Sequence, residues 1–254
     1  FKQKTAYEML RSLVGSEMCI RDRRMHRASY LIGMVGLNEL VKIQTGEELN
    51  QSKRALKYGL KVISYMNLLC KKFSERYQMH FVLEQTPAES TAYRFAKLDL
   101  RDFPDKATST VKGSIPFGQI YYTNSTCLPV GSRENPIERV QTEGLFHPLI
   151  EAGSITHIWL GEARPSKESL ANFVIKVFRE TQNDQIAFSP EFTNCLKCSR
   201  TVRGLRNSCP HCGSEEVDGI TRITGYFTKI SSWNKGKLGE LRDRNRNRGY
   251  FSNN

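Results

Sequence analysis

Cysteines are the most chemically loaded residues of this 254-residue chain, and four of the seven lie within one short stretch. Cys195-Leu-Lys-Cys198 and Cys209-Pro-His-Cys212-Gly213 form two Cys-x-x-Cys pairs separated by ten residues. A Cys-x-x-Cys turn lets both thiolates face one ion, and the glycine after the second pair relieves the turn. Two such knuckles supply four soft ligands in a tetrahedron, the arrangement that suits Zn²⁺. Four protein ligands leave no open position, so the ion staples a small subdomain and does not catalyse. A redox pair or two disulfides are the competing readings; the paired spacing favours structural zinc. His211 reads as a spacer inside its knuckle. Cys19, Cys70 and Cys127 are scattered, unlike the cysteines of an evenly stapled secreted domain, which favours a reducing, cytoplasmic setting. Cys70 and Cys127 read as structural thiols.

A second candidate is Thr86-Pro87-Ala88-Glu89-Ser90-Thr91. Thr, Pro and Glu fall at the N-cap, N1 and N3 positions of a helix start. Free N–H groups and the positive dipole end make such a terminus an anion site, and Ser90 and Thr91 add hydroxyl donors. Glu89 opposes phosphate, so on spacing alone a capping box outweighs a phosphate site. The third candidate, Arg222-Ile-Thr-Gly225-Tyr226, is by itself a strand with a glycine bulge or turn. Tyr121-Tyr122-Thr123-Asn124-Ser125 fits either a nucleotide site or a loop capped by Asn124. His147 and His157 read as satisfied core or surface histidines. Lys235 to Arg248 carries six Lys/Arg against Glu240 and Asp243; it reads as a solvated tail, or as a contact for a triphosphate or an activating protein.

The elements that must carry these residues follow from periodicity. Residues 25–44 and 51–76 read as two antiparallel helices joined near Gly46. Residues 79–85 read as a strand, followed by a helix from Thr86 to about Leu98. Residues 100–135 read as loops with a short strand near Ile120 to Tyr122. Residues 136–144 and 166–180 read as helices and 154–160 as a buried strand; from Asn183 the chain reads as irregular. Strands alternating with helices imply an α/β layer architecture. Hydrophobic residues at 39% and charged residues at 25% exclude collagen-like, coiled-coil and low-complexity chains. No apolar run approaches the roughly 20 residues that span a bilayer. A net charge of +12 suggests anionic partners, whether polymers or small phosphates.

Residues 1–23 carry no clear period and fit neither a signal nor a transit peptide. They resemble translated sequencing-adapter read-through and read as non-native, in which case the natural gene continues upstream; a natural N-terminus is the alternative. This prefix holds five Lys/Arg and three acids, so +2 of the +12 belongs to it.

Several longer segments follow one another along the chain: Tyr30 to Glu39 (YLIGMVGLNE), Glu84 to Arg94 (EQTPAESTAYR), Tyr121 to Ser125 (YYTNS), His147 to Gly153 (HPLIEAG) and Phe188 to Phe192 (FSPEF). The cysteine pairs follow, then Arg222 to Tyr226 (RITGY), Trp233-Asn234-x-Gly236-Lys237 and Glu240-Leu241-x-Asp243-Arg244. Over residues 25–251 this series resembles the C-terminal part of anaerobic (class III) ribonucleoside-triphosphate reductases.

The resemblance implies an α/β fold belonging to a ten-stranded barrel. Residues 24–190 would supply its second half, and 191–254 a zinc-ribbon-like and glycyl-radical region with a basic tail. It implies a stable radical at Gly225. A Cα radical is delocalised by the flanking amide and carbonyl, which needs a planar backbone without side-chain crowding, and only glycine permits that at low strain. It implies structural Zn²⁺ on Cys195, Cys198, Cys209 and Cys212. It makes Thr86, Ala88, Glu89, Ser90 and Thr91 a substrate-phosphate loop. The implied partners are a ribonucleoside triphosphate, a radical-SAM activating enzyme with an iron–sulfur cluster, and a second copy of the full-length subunit; no membrane or nucleic acid is implied. Formate is the reductant in much of the family. The thiyl cysteine would lie upstream of residue 25, so none of the seven cysteines takes that role and the fragment alone would not reduce nucleotides. The rival reading is a basic zinc-ribbon protein that binds RNA or DNA; it offers no account of Thr86 to Arg94 or of Gly225.

Overall fold

The structure is a computed structural model that describes residues 28–245 and Tyr250. Segment 1–23 and most of the tail beyond residue 245 lie outside the described residues. Two parallel strand pairs organise the chain. Strand β1 (Ser29–Gly33) pairs with β2 (His80–Glu84) in parallel, Tyr30 opposite Phe81. Parallel strands need a crossover, and helices α1 (Leu37–Thr45) and α2 (Lys53–Tyr77) supply it. Strand β5 (Thr156–Gly161), buried along its whole length, pairs in parallel with β6 (Ile186–Cys195) across helix α6 (Lys167–Glu180).

Between these pairs lie α3 (Glu89–Asp102), α4 (Pro104–Thr110), the antiparallel β3 (Lys112–Ser114) and β4 (Gln119–Tyr121), and α5 (Pro136–Gly144). The ten-residue β6 continues past β5. Its second half pairs antiparallel with β7 (Thr201–Arg203) and β8 (Val217–Arg222), and β8 pairs with β9 (Phe227–Lys229). Helix α7 (Lys235–Asp243) follows. One strand thus joins the parallel pair to the cysteine subdomain.

Local signals set several helix ends. Ser52 accepts a hydrogen bond from the Ala55 amide at the start of α2, and Ser166 does the same from Ser169 at α6. Asn135 and Glu138 form a capping box at α5. One core gathers Leu37, Val41, Leu49, Ile63, Leu83 and Phe146; a second gathers Val140, Ile158, Leu160, Phe173 and Val177. Among the described residues, no helix is long and apolar enough to cross a membrane.

Five sequence expectations are corrected. Residues 25–44 are not one helix: Ser29–Gly33 is a strand, and α1 starts only at Leu37. The helical spacing of Tyr30, Leu31 and Met34 is overridden by pairing with β2 and by Gly36, whose φ of 81° stops the helix on its N-terminal side. The helix after β2 begins at Glu89, with Ala88 at its N-cap and no side-chain cap. Thr86 instead turns its hydroxyl back to Glu84 Oε2 at 3.0 Å, so the Thr86 capping box does not form. Residues 100–135 include a helix and two strands, and the stretch after Asn183 is the long strand β6. The described part of the basic tail, Lys235–Asp243, is helix α7, with Gly236, Lys237, Gly239, Glu240 and Leu241 buried.

Candidate functional site

The cysteine centre is built at the end of β6. Cys195 closes that strand, Cys198 sits in the turn to β7, and Cys209 and Cys212 sit in the return loop. The four sulfurs lie within 4.8 Å of one another. Cys195 and Cys212 Sγ are 3.6 Å apart, as are Cys198 and Cys209 Sγ. A disulfide needs about 2.05 Å, and all four thiols are free. Thiolates about 2.3 Å from a tetrahedral Zn²⁺ stand roughly 3.8 Å apart, so the donor set fits that ion. Backbone amides reinforce it. The Cys198 N–H donates to Cys195 Sγ at 3.4 Å. Amides of His211 and Cys212 lower the Cys209 thiol, while at Cys212 the Ser214 amide is outweighed by burial and the neighbouring sulfurs, which raise that thiol, so the cluster titrates as a unit. His211 Nδ1 lies 3.2 Å from Arg200 Nη1, outside the sulfur set.

Gly225 occupies the exposed tip of the bend between β8 and β9. The Ile223 amide closes the bend on the Tyr226 carbonyl at 2.9 Å. Three cations hold its flanks: Arg222 Nη1 donates to the Gly225 carbonyl at 2.7 Å, Lys237 Nζ to Thr224 Oγ1 at 3.2 Å, and Arg244 Nη2 to the Ile223 carbonyl at 3.2 Å. The Gly225 φ lies outside the left-handed region, and a Cβ there would meet no heavy atom within 4 Å. Every other described glycine either has a positive φ or would drive its Cβ within 3.0 Å of a neighbour. Gly225 is therefore the one described glycine that neither backbone strain nor packing requires.

Helix α7 supports this loop. Gly239 and Gly236 let it lie against the β4 backbone, where a Cβ would come 2.4 Å from the Gln119 carbonyl oxygen and 2.5 Å from that of Ile120. Asn234 caps the helix by accepting from the Lys237 amide at 2.8 Å. Glu240 receives Lys237 Nζ at 2.6 Å and Arg244 Nη2 at 3.0 Å, with all three residues at most 5% exposed. Burial opposes the Glu240 charge, but the two cations outweigh it and hold the carboxyl below its ordinary range. Lys237 and Arg244 are thus committed to the interior, which removes two charges from the solvated tail read from the sequence and from any nucleic-acid surface.

The first turn of α3 lies at the other end of α7. Ala88 is buried, Glu89 and Thr91 are half-buried, and Ser90 is exposed. No side chain caps this turn, so its amides remain open donors. Asn234 Nδ2 donates to the Glu89 carbonyl at 3.4 Å. Helix α7 therefore touches both the loop read as phosphate-binding and the Gly225 bend. A small, partly open cleft of about 30 Å³ lies among Tyr121, Cys127, His157, Thr224, Lys237 and Glu240.

The YYTNS segment is a brace. Tyr121 donates to Asp243 Oδ2 at 3.0 Å, Tyr122 to Asp99 Oδ2 at 2.7 Å, and Thr123 to buried Glu39 at 2.7 Å. His147 is a satisfied core histidine, its Nδ1 accepting from the Asp184 amide at 2.9 Å. His157 is buried and stacked on Trp159, and neither ring nitrogen has a hydrogen-bond partner. Burial, then nearby Lys237, Arg222 and Arg244, push its pKa down to about 3. Burial raises Cys127 well above its ordinary value, and Gln85 Nε2 approaches its sulfur at 3.4 Å. Sequence reasoning did not single out the Lys237–Glu240–Arg244 network or Gln85. The i, i+3 and i, i+4 spacing from Lys237 to Glu240 to Arg244 was the available signal.

Fold and site together define a mixed α/β chain with a four-cysteine subdomain whose sulfurs are spaced to hold one metal ion, and a helix-braced glycine loop. A family model described as anaerobic ribonucleoside-triphosphate reductase matches residues 2–246, and the chain belongs to that family. The anaerobic ribonucleoside-triphosphate reductase of Enterobacteria phage T4 is 26% identical over 227 residues, 86% of this chain and 34% of the relative. The enzyme of that name from Escherichia coli K12 is 25% identical over 231 residues, again 86% of this chain, and 31% of the relative. The chain thus spans about a third of the length of these curated relatives. The crystal structure of the Thermotoga maritima anaerobic ribonucleotide reductase with MES in the active site has a similar fold, with a TM-score of 0.69 at 24% identity over 90% of this chain and 37% of that one. The same enzyme in complex with dATP and CTP gives 0.67 at 24% identity, over 84% of this chain and 34% of that one.

Proposed function

We propose that this chain is the radical-bearing C-terminal part of an anaerobic ribonucleoside-triphosphate reductase, with Gly225 as the radical site. The observation that carries the reading is the lack of any structural need for glycine at position 225. Chemistry then supplies the need: the activating enzyme removes one hydrogen atom from the Gly225 Cα, and the radical left behind is delocalised over a planar, uncrowded backbone. The exposed tip lets the activating enzyme reach that carbon, while the pinned flanks hold it in one place.

Cys195, Cys198, Cys209 and Cys212 hold Zn²⁺, which supplies a structural crosslink and no redox chemistry. This subdomain anchors the β8–β9 hairpin that carries Gly225. Thr86, Ala88, Glu89, Ser90 and Thr91 form the substrate-phosphate loop. The open amides of the α3 first turn support that role, with Glu89 facing α7 through its carbonyl contact to Asn234. The parallel pairs β1–β2 and β5–β6, each crossed by helices, support residues 24–190 as the second half of a ten-stranded barrel, and 191–254 as the zinc and radical region.

The intact enzyme is a cytoplasmic homodimer that acts on ribonucleoside triphosphates. It is activated by a radical-SAM, iron–sulfur enzyme and uses formate as reductant. The test is anaerobic activation followed by electron paramagnetic resonance. A doublet that disappears in Gly225→Ala, with oxygen-dependent chain cleavage at Gly225, is the expected result. Salt-sensitive RNA binding without any radical would replace this reading with the nucleic-acid one.

A further inference from the structure

Arg244 lies where three parts of the chain meet. Its guanidinium carbon sits 3.8 Å from the ring centroid of Trp159, on β5, and 5.3 Å from that of Trp233, just before α7. These are the only two tryptophans in the chain. Its Nη2 donates to Glu240 Oε1 at 3.0 Å and to the Ile223 carbonyl at 3.2 Å. A guanidinium is flat, so its faces stack on aromatic rings while its edge donates hydrogen bonds; a lysine ammonium has no face to stack and no fixed fork.

The three cations at the Gly225 bend are not equivalent. Lys237 reaches the Thr224 hydroxyl, a side chain that rotates. Arg222 lies on the hairpin itself and moves with it. Arg244 alone ties the loop main chain, two residues before Gly225, to a strand of the buried core. We propose that Arg244 is the positioning residue of the Gly225 loop: stacked on Trp159 and oriented by Glu240, it fixes the Ile223 carbonyl and so sets where the Gly225 Cα stands relative to β5. This rests on Gly225 being the radical site.

The experiment is hydrogen–deuterium exchange on the full 254-residue chain without activation, comparing wild type, Arg244→Lys and Arg244→Gln. The lysine variant keeps a positive charge opposite Glu240 and so protects the fold, but loses the stacked fork. Exchange in segment 222–227 is expected to rise about tenfold in Arg244→Lys, the size set by one charge-assisted bond to a main-chain carbonyl. Segments in α2 should keep wild-type exchange, and the emission of the two tryptophans should change. Arg244→Gln should open the loop at least as far. Unchanged loop exchange in Arg244→Lys overturns the proposal, because the charge alone then suffices. An equal rise across α2 also overturns it, because Arg244 then holds the whole fold and not the loop. No radical is needed for this readout. Loop opening in a chain that never yields a Gly225 doublet would keep the positioning role and sink the radical reading. A wild-type loop in a chain that does yield the doublet would do the reverse.

Discussion

Replacing Gly225 by alanine separates a glycine kept for chemistry from one kept for architecture. A Cβ at this position meets nothing within 4 Å, and the backbone is not left-handed. The folded state therefore loses no contact and gains no strain. The unfolded chain loses conformational freedom, which at a compatible site stabilises by about 0.4–1 kcal/mol. Gly239→Ala is the opposite case, because its Cβ would lie 2.4 Å from the Gln119 carbonyl oxygen and force α7 away from β4. Overpacking of that kind costs about 1–3 kcal/mol. The assay is urea unfolding followed by tryptophan emission, paired with electron paramagnetic resonance after anaerobic activation. Gly225→Ala is expected to unfold at or slightly above the wild-type midpoint and to show no doublet. Gly239→Ala should unfold earlier while its folded fraction still gives the signal. A loss of more than about 1 kcal/mol in Gly225→Ala, beyond the usual range for an exposed site, would show that the loop needs glycine structurally. A doublet that survives the substitution would refute the radical assignment outright.

The cysteine centre should bind one Zn²⁺ per chain, and Co²⁺ in its place should show the absorption of a tetrahedral thiolate site. Cys209→Ser should lose both the metal and the protection of β8; a variant that binds metal as wild type would place the ligands elsewhere. Glu143 and Arg139 form a buried pair at 2.8 Å, with Glu143 also accepting from the Leu128 amide at 2.9 Å. Glu143→Ala strands the arginine and should cost about 3–5 kcal/mol in urea unfolding, whereas a loss below about 1 kcal/mol would mean that the site relaxes or hydrates. His147 and His157 are held mainly by burial at about 4 and about 3. Their folded values lie below the unfolded value near 6.5, so their neutral forms contribute fully above that pH, and stability falls as acid protonates the unfolded chain first. The slope between about pH 6.5 and 5 should reach up to about 1.4 kcal/mol per unit per histidine. A flat stability profile across that window would contradict their buried, neutral state.

Much of the site was legible because its signals are local. A Cys-x-x-Cys turn places two sulfurs together wherever it occurs, and the structure brings all four within reach of one ion. Helices over 136–144 and 166–180 were legible from apolar periodicity, and the structure closes their starts with the local caps Asn135 and Ser166. Thr86 failed as a cap although it had the same type of signal. Gly33 stands against it, where a Cβ would overlap its hydroxyl, and that hydroxyl points back to Glu84. The stretch Tyr30 to Gly33 misled for a related reason: its apolar residues fitted a helical spacing, but it pairs with a strand about 50 residues away. The strand β6 was hidden because Ser189, Pro190 and Asn194 dilute its apolar pattern, and its buried positions include Ser189, Glu191 and Thr193.

The sequence by itself determined the chemistry available: four thiolates at metal spacing, a helix start that follows a strand, and a glycine inside a motif series that resembles one reductase family. It also carried enough apolar pattern to place most helices. Only the tertiary structure decided which glycine was free of structural duty. That property depends on the absence of neighbours around one Cα, and no local spacing encodes an absence. Only the tertiary structure turned the basic tail into a buried brace, since Lys237 and Arg244 become interior residues through Glu240 and through Trp159, which lies 85 residues before Arg244. Burying a charge is costly unless partners surround it, and partners that distant are assembled by packing, not by the sequence around the charge.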